Sequence, residues 1–162
     1  MRLRENKGKH CLGVAGFMHD HAPALGLDPY EMYLLGLVHD IGYVYGAKGH
    51  GAAGGKLLHE QGYKLAKCVS WHGETPNNFI YLNLVDEPPI ELILLWTADC
   101  SINTEGEYVG YDERLADILK RYGELSINYI NSVDTITYLK EWEKRNKDVY
   151  PSLAEIPKRG IR

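Results

Sequence analysis

Val14, Phe17, Met18 and Leu25 recur at three- and four-residue steps, the spacing of one helix face, and predict a helix over 10–25 headed by His10. Asp28-Pro29-Tyr30-Glu31 then carries a full start signal: a side chain that caps free backbone N–H groups, a proline at the first helical position and a glutamate that completes a capping box. That helix is expected to run through Met32, Leu35 and Val38 to His39-Asp40 and to end near Gly42, with His39 on the face of Met32 and Leu35. Glycines at 46, 49 and 51 predict a loop over 43–51, followed by a short helix over 52–61 stopped by Gly62 and another over 63–72. Thr75-Pro76-Asn77-Asn78 and Pro88-Pro89 predict that 73–89 is mostly loop, a lid for a site, with some strand character over 79–85.

A more hydrophobic helix follows Pro89, with Leu92, Leu95, Trp96 and Asp99 on one face. Further helices are expected over 112–122, closed by Gly123, and over 134–146, where Leu139 and Trp142 stand among charges as core residues. The expectation is an all-α, single-domain fold over 1–149 with a C-terminal tail over 150–162 marked by Pro151 and Pro157.

Composition narrows the function classes. At 162 residues the chain has room for one domain. Its net charge of -4, without a strongly basic block, offers a nucleic acid no row of phosphate contacts. Cys11, Cys68 and Cys100 are scattered and odd in number, which supports neither a disulfide framework nor a zinc knuckle and fits a reducing cytoplasm. No apolar run approaches the ~20 residues of a membrane span, and the N-terminus lacks a signal-peptide apolar core.

Seven histidines are what remains to be explained. His10, His39 and Asp99 share their inferred helix faces with core residues, where an unpaired charge carries a desolvation cost of several kcal/mol that a cation among them would remove. With Asp40, His50 and His72 they form an ordered set of imidazoles and carboxylates, the donors of a metal site held by hydrophobic packing. Isolated histidines are usually structural, and His19, His21 and His59 are read that way. His21 lies eleven residues after His10 on the same face, but a rise of ~1.5 Å per residue puts it about 16 Å away. The glycines of 46–55 lack the Gly-Lys-Ser/Thr ending of a P-loop.

The order His, His-Asp, His, His, Asp resembles the HD superfamily of metal-dependent phosphohydrolases. The stretches that carry the resemblance are Lys7-Gly8-Lys9-His10, Leu37-Val38-His39-Asp40-Ile41-Gly42, Gly49-His50-Gly51-Ala52-Ala53-Gly54-Gly55, Trp71-His72-Gly73 and Thr97-Ala98-Asp99. The resemblance implies that His10, His39, Asp40 and Asp99 hold one metal and that Asp40 bridges to a second held by His50 and His72. It is closer to the dinuclear branch, including bacterial dinucleoside tetraphosphate hydrolases, than to the mononuclear nucleotidases. Many dinuclear members follow His-Asp-Ile-Gly with a phosphate-binding Lys; here that position is Tyr43. Tyr43, Lys48 and Arg114 are therefore the weak substrate-binding candidates.

The implied reaction is hydrolysis of a phosphate ester or anhydride, in a nucleotide or dinucleotide, through a metal-bridging hydroxide near Asp40. Four neutral imidazoles and two carboxylates carry -2, and two divalent metals bring the site to about +2, which attracts a phosphate. Nitrogen and oxygen donors suit Fe, Mn, Ni or Zn without choosing among them. Two rivals share the ligand set: a di-iron oxygenase of the HD fold, and a non-catalytic nucleotide-binding HD module. The oligomeric state is left open.

Overall fold

The computed structural model describes residues 2–148 and folds them as an all-α single domain. The helices are α1 (Arg2–His21), α2 (Pro29–Val38), α3 (His50–Glu60), α4 (Ala66–Trp71), α5 (Pro76–Asn83), α6 (Ile90–Asp99), α7 (Tyr111–Tyr122) and α8 (Ile127–Asn146). Two short 3₁₀ helices, Pro23–Leu25 and Ile41–Tyr45, join the first three. Among the described residues no strand forms, and a bridge between Ile102 and Tyr108 closes the loop after α6.

Helix α6 is the axis. Every residue from Leu92 to Ala98 is buried, so this helix is apolar all round and must be covered on every side. Helices α1, α2, α4 and α8 cover it, with Val14, Phe17, Met18, Met32, Leu35, Val69, Leu139 and Trp142 in one continuous core. The start signal at Asp28 operates as expected, its carboxylate accepting from the N–H groups of Tyr30 and Glu31 at 2.9 Å each. Helices α1 and α2 meet backbone to backbone at Gly36, where a Cβ would lie 2.7 Å from the Cα of Ala15.

Several expectations need correction. The first helix starts at Arg2 and ends at His21, Leu25 falling in the 3₁₀ turn beyond it. The expected loop over 43–51 begins instead as the 3₁₀ helix Ile41–Tyr45, and α3 starts at His50. Helix α4 is confined to Ala66–Trp71, and the last helix starts at Ile127, capped by Ser126, instead of at 134. The expected lid and strand over 73–89 contain helix α5. Thr75 accepts from the N–H of Asn78, Pro76 fills the first turn, and Phe79 is buried against Trp71 and Trp96. A cap signal followed by a core anchor outweighed the turn-forming look of Thr-Pro-Asn-Asn. The expected tail over 150–162 lies outside the described residues.

Candidate metal centre

Each of the six expected ligands sits at the end of a helix or on the core face of one. His10 is on α1, one turn after Lys7; His39 caps the C-terminus of α2; Asp40 opens the 3₁₀ turn; His50 begins α3; His72 caps α4; and Asp99 ends α6. Helix ends can aim side chains at one point because the chain leaves the helical path there. Between α2 and α3 that path is permitted by two glycines. Gly49 adopts a left-handed φ of 70°, and a Cβ on Gly42 would lie 1.7 Å from the carbonyl oxygen of His50.

The structure brings all six together in two groups. In the first, His10 Nε2 lies 2.8 Å and His39 Nε2 3.6 Å from Asp99 Oδ1. In the second, His50 Nε2 and His72 Nε2 lie 3.3 and 3.2 Å from Asp40 Oδ1. His39 Nε2 is also 3.5 Å from that same oxygen, so Asp40 adjoins both groups. Within each group the possible ligand atoms lie within 4.8 Å of one another.

The tautomers expose what this cluster requires. The Nδ1 atoms of His10, His39, His50 and His72 face the backbone carbonyls of Asn103, Gly36, Ala47 and Val69 at 3.1, 2.6, 3.0 and 2.6 Å. A carbonyl only accepts, so each Nδ1 carries the proton, and each neutral ring presents a bare lone pair at Nε2. Those four lone pairs then point at carboxylate oxygens, and two of them, on His50 and His72, at each other across 3.0 Å. Acceptors facing acceptors repel. His39 Nε2, fully buried, has no partner within hydrogen-bond geometry among the described residues, its nearest carboxylate oxygens standing 3.5 and 3.6 Å away. Only positive charge between the rings and the carboxylates reconciles the arrangement, and nitrogen and oxygen donors of this kind fit divalent transition metals.

The acidities say the same. Burial lowers the affinity of His39 for a proton, but Asp40 and Asp99 more than offset it and raise the pKa to about 9. Burial opposes ionisation of Asp40 and Asp99 too, yet the neighbouring imidazoles hold both well below the usual carboxylate range. Without metal, the cluster stabilises a proton where a cation would sit.

Nearby groups divide sharply. Tyr43 stacks on the ring of His50 with centroids 4.1 Å apart. Lys48 is exposed in the turn before α3 and makes no ion pair among the described residues. Arg114 turns to the end of α6, its Nε donating to the carbonyl of Asp99 at 3.3 Å while its Nη1 reaches Asp117. The residue that sequence reasoning passed over is Lys7. Its Nζ donates to Asp40 Oδ2 at 3.1 Å and lies 3.6 Å above the centre of the Tyr43 ring. A signal for it existed, because Lys7 precedes His10 by three residues and shares its helix face. Cys11 also approaches His39 and Asp40, but burial and the nearby carboxylates push its thiol up to about 12, so it stays neutral.

This geometry gives the family match its meaning. The HD domain model matches residues 8–103, more than half of the chain, from just before His10 to just after Asp99. The chain belongs to the HD domain family. No curated protein and no solved structure gave a match. As an HD domain, the chain falls in a superfamily of metal-dependent phosphohydrolases that binds divalent metals and includes non-catalytic members. Among the described residues, no helix is long and apolar enough to cross a membrane.

Proposed function

We propose that this HD domain is a phosphohydrolase that uses two divalent metals to cleave a phosphate ester or anhydride of a small molecule. The observation that carries the reading is the convergence of four imidazoles, each with Nδ1 turned to a backbone carbonyl and Nε2 turned inward, on two carboxylates. Bound there, two divalent cations supply Lewis acidity toward phosphoryl oxygens and acidify a coordinated water. His10, His39, Asp40 and Asp99 would hold one, and Asp40, His50 and His72 the other. Asp40 would serve both, because its Oδ1 faces His39, His50 and His72 at once.

Lys7 takes the part that the resemblance assigned to a lysine at position 43. With Asp40 Oδ1 given to the metals, the Lys7 ammonium on Oδ2 is the cation poised to meet a phosphate oxygen. Tyr43 keeps Lys7 over its ring and stacks on the His50 ring, which orients both. Arg114 braces Asp99 through its carbonyl. A nucleotide is the substrate class that the resemblance suggests.

The test is elemental analysis of the purified protein joined to a screen of phosphorylated compounds. Two metals per chain are expected, falling to one or none in His50→Ala and His72→Ala with loss of turnover. Unchanged stoichiometry overturns the two-metal assignment. Full occupancy with no turnover indicates a binding module, and consumption of dioxygen by the iron-loaded protein indicates an oxygenase.

A further inference from the structure

A groove of about 420 Å³ opens between α1 and α2, and its inner end is the Lys7–Asp40 pair at the edge of the metal cluster. Its walls are Leu12, Leu37, Val38 and Ile41, with Cys11 at the base. Leu12 and Leu37 are 55% and 38% exposed, so apolar side chains face water directly beside a charged centre. Among the described residues of its lining, Lys7 and Asp40 are the only charged groups, and they are paired with each other.

We infer that this groove binds the organic portion of the substrate and selects an apolar alkyl or aryl group attached to the phosphate. The inference rests on the phosphohydrolase reading for the anionic end only. The groove is continuous with the proposed phosphate position through Asp40 and Lys7, so one molecule with an anionic head and an apolar body spans both. Its polarity follows the same axis: cation at the inner end, hydrocarbon along the walls. A nucleoside would place ribose hydroxyls and base edges against Leu12, Leu37, Val38 and Ile41, which offer no side-chain hydrogen-bonding group. An alkyl or aryl group leaves no polar atom unsatisfied there. The structure therefore moves the substrate class away from the nucleotide suggested by resemblance.

The experiment is calorimetric titration of the metal-loaded protein with methyl-, butyl- and hexylphosphonate, whose C–P bond hydrolysis does not touch. Binding is expected to tighten by about fourfold per added methylene, the gain from removing one CH₂ from water. Leu12→Gln and Leu37→Gln should each flatten that slope. Both positions are solvent-facing on helices, so neither change threatens folding. A dissociation constant independent of chain length, or no binding by any of the three, overturns the inference. So does a nucleoside 5′-monophosphate that binds more tightly than hexylphosphonate and loses its advantage in the same variants. Hydrolysis is read separately with hexyl phosphate. The chain-length slope without turnover removes the phosphohydrolase reading and keeps the groove, whereas turnover without the slope does the reverse.

Discussion

The two halves of the metal cluster are built differently. The His10–His39–Asp99 half stands on α1, α2 and α6, helices that supply much of the core, and His10 and His39 are buried. The Asp40–His50–His72 half stands on a 3₁₀ turn and on α3 and α4, and each half has one partly exposed ligand, Asp99 at 27% and His50 at 19%. Close packing on that side comes from glycines: besides Gly42 against His50, a Cβ on Gly55 would lie 1.7 Å from Ser70 Oγ. One half is rigid because bulky side chains fill the space around it, the other because missing side chains let backbones touch. The lesson is that two candidate metal positions sharing one carboxylate need not be equally robust.

That contrast can be broken most forcefully at the residue common to both halves. Asp40→Asn removes the charge that faces three imidazoles and Lys7, and should abolish binding at the second position, weaken the first and reduce hydrolysis to background. Metal analysis and phosphate release read this. Equal loss of both metals would instead argue that the halves form one rigid unit.

Gly42→Ala sharpens the difference. The new Cβ cannot fit beside the His50 carbonyl, so α3 must move, at an expected cost of about 3 kcal/mol in denaturant unfolding. The second metal should be lost while the first stays.

The first half has its own pH signature. The pKa of His39 is raised from 6.5 to about 9 by folding, so its stabilisation of the metal-free protein is fully present below pH 6.5 and disappears as pH climbs through 9. The amount is on the order of 3 kcal/mol. Asp40 and Asp99 have lowered values, so their contribution is present above pH 3.8 and lost in stronger acid. The melting temperature of the metal-free protein should therefore fall from pH 6.5 to 9. That of the loaded protein should hold, since a cation replaces the proton. A flat metal-free profile would refute this account of His39.

The smallest effect is expected at Arg114, which touches the carbonyl of Asp99 and not the cluster itself. Arg114→Gln should weaken the first metal about tenfold in a competition titration and spare the second.

Some of this was readable before any coordinates. Helix α2 announced its start through the Asp28 cap, because capping is local physics, whereas its end came at Val38, before the expected stop at Gly42, which lies in the 3₁₀ turn. Asp99 at the end of an apolar stripe already implied a compensating cation. Helix α5 was obscured because Thr-Pro-Asn-Asn suits a turn as well as a helix start, and the burial of Phe79 against Trp71 and Trp96 depends on chain far away. Lys48 and Arg114 were the cations considered for a phosphate, with Tyr43 at the position where many relatives carry lysine. The proposed cation, Lys7, stands instead on α1, 33 residues before Asp40.

By itself, the order of residues determined an all-helical HD domain and the kinds of donor available, since periodicity, caps and side-chain chemistry are properties of short stretches. Tertiary structure decided which atoms meet. The close passage of α1 and α2 at Gly36 and Ala15 carried Lys7 onto Asp40 and opened the apolar groove beside it. The backbone carbonyls of Asn103, Gly36, Ala47 and Val69 chose the tautomers of the four clustered imidazoles. Both outcomes depend on distances between segments remote in the chain, which only packing sets.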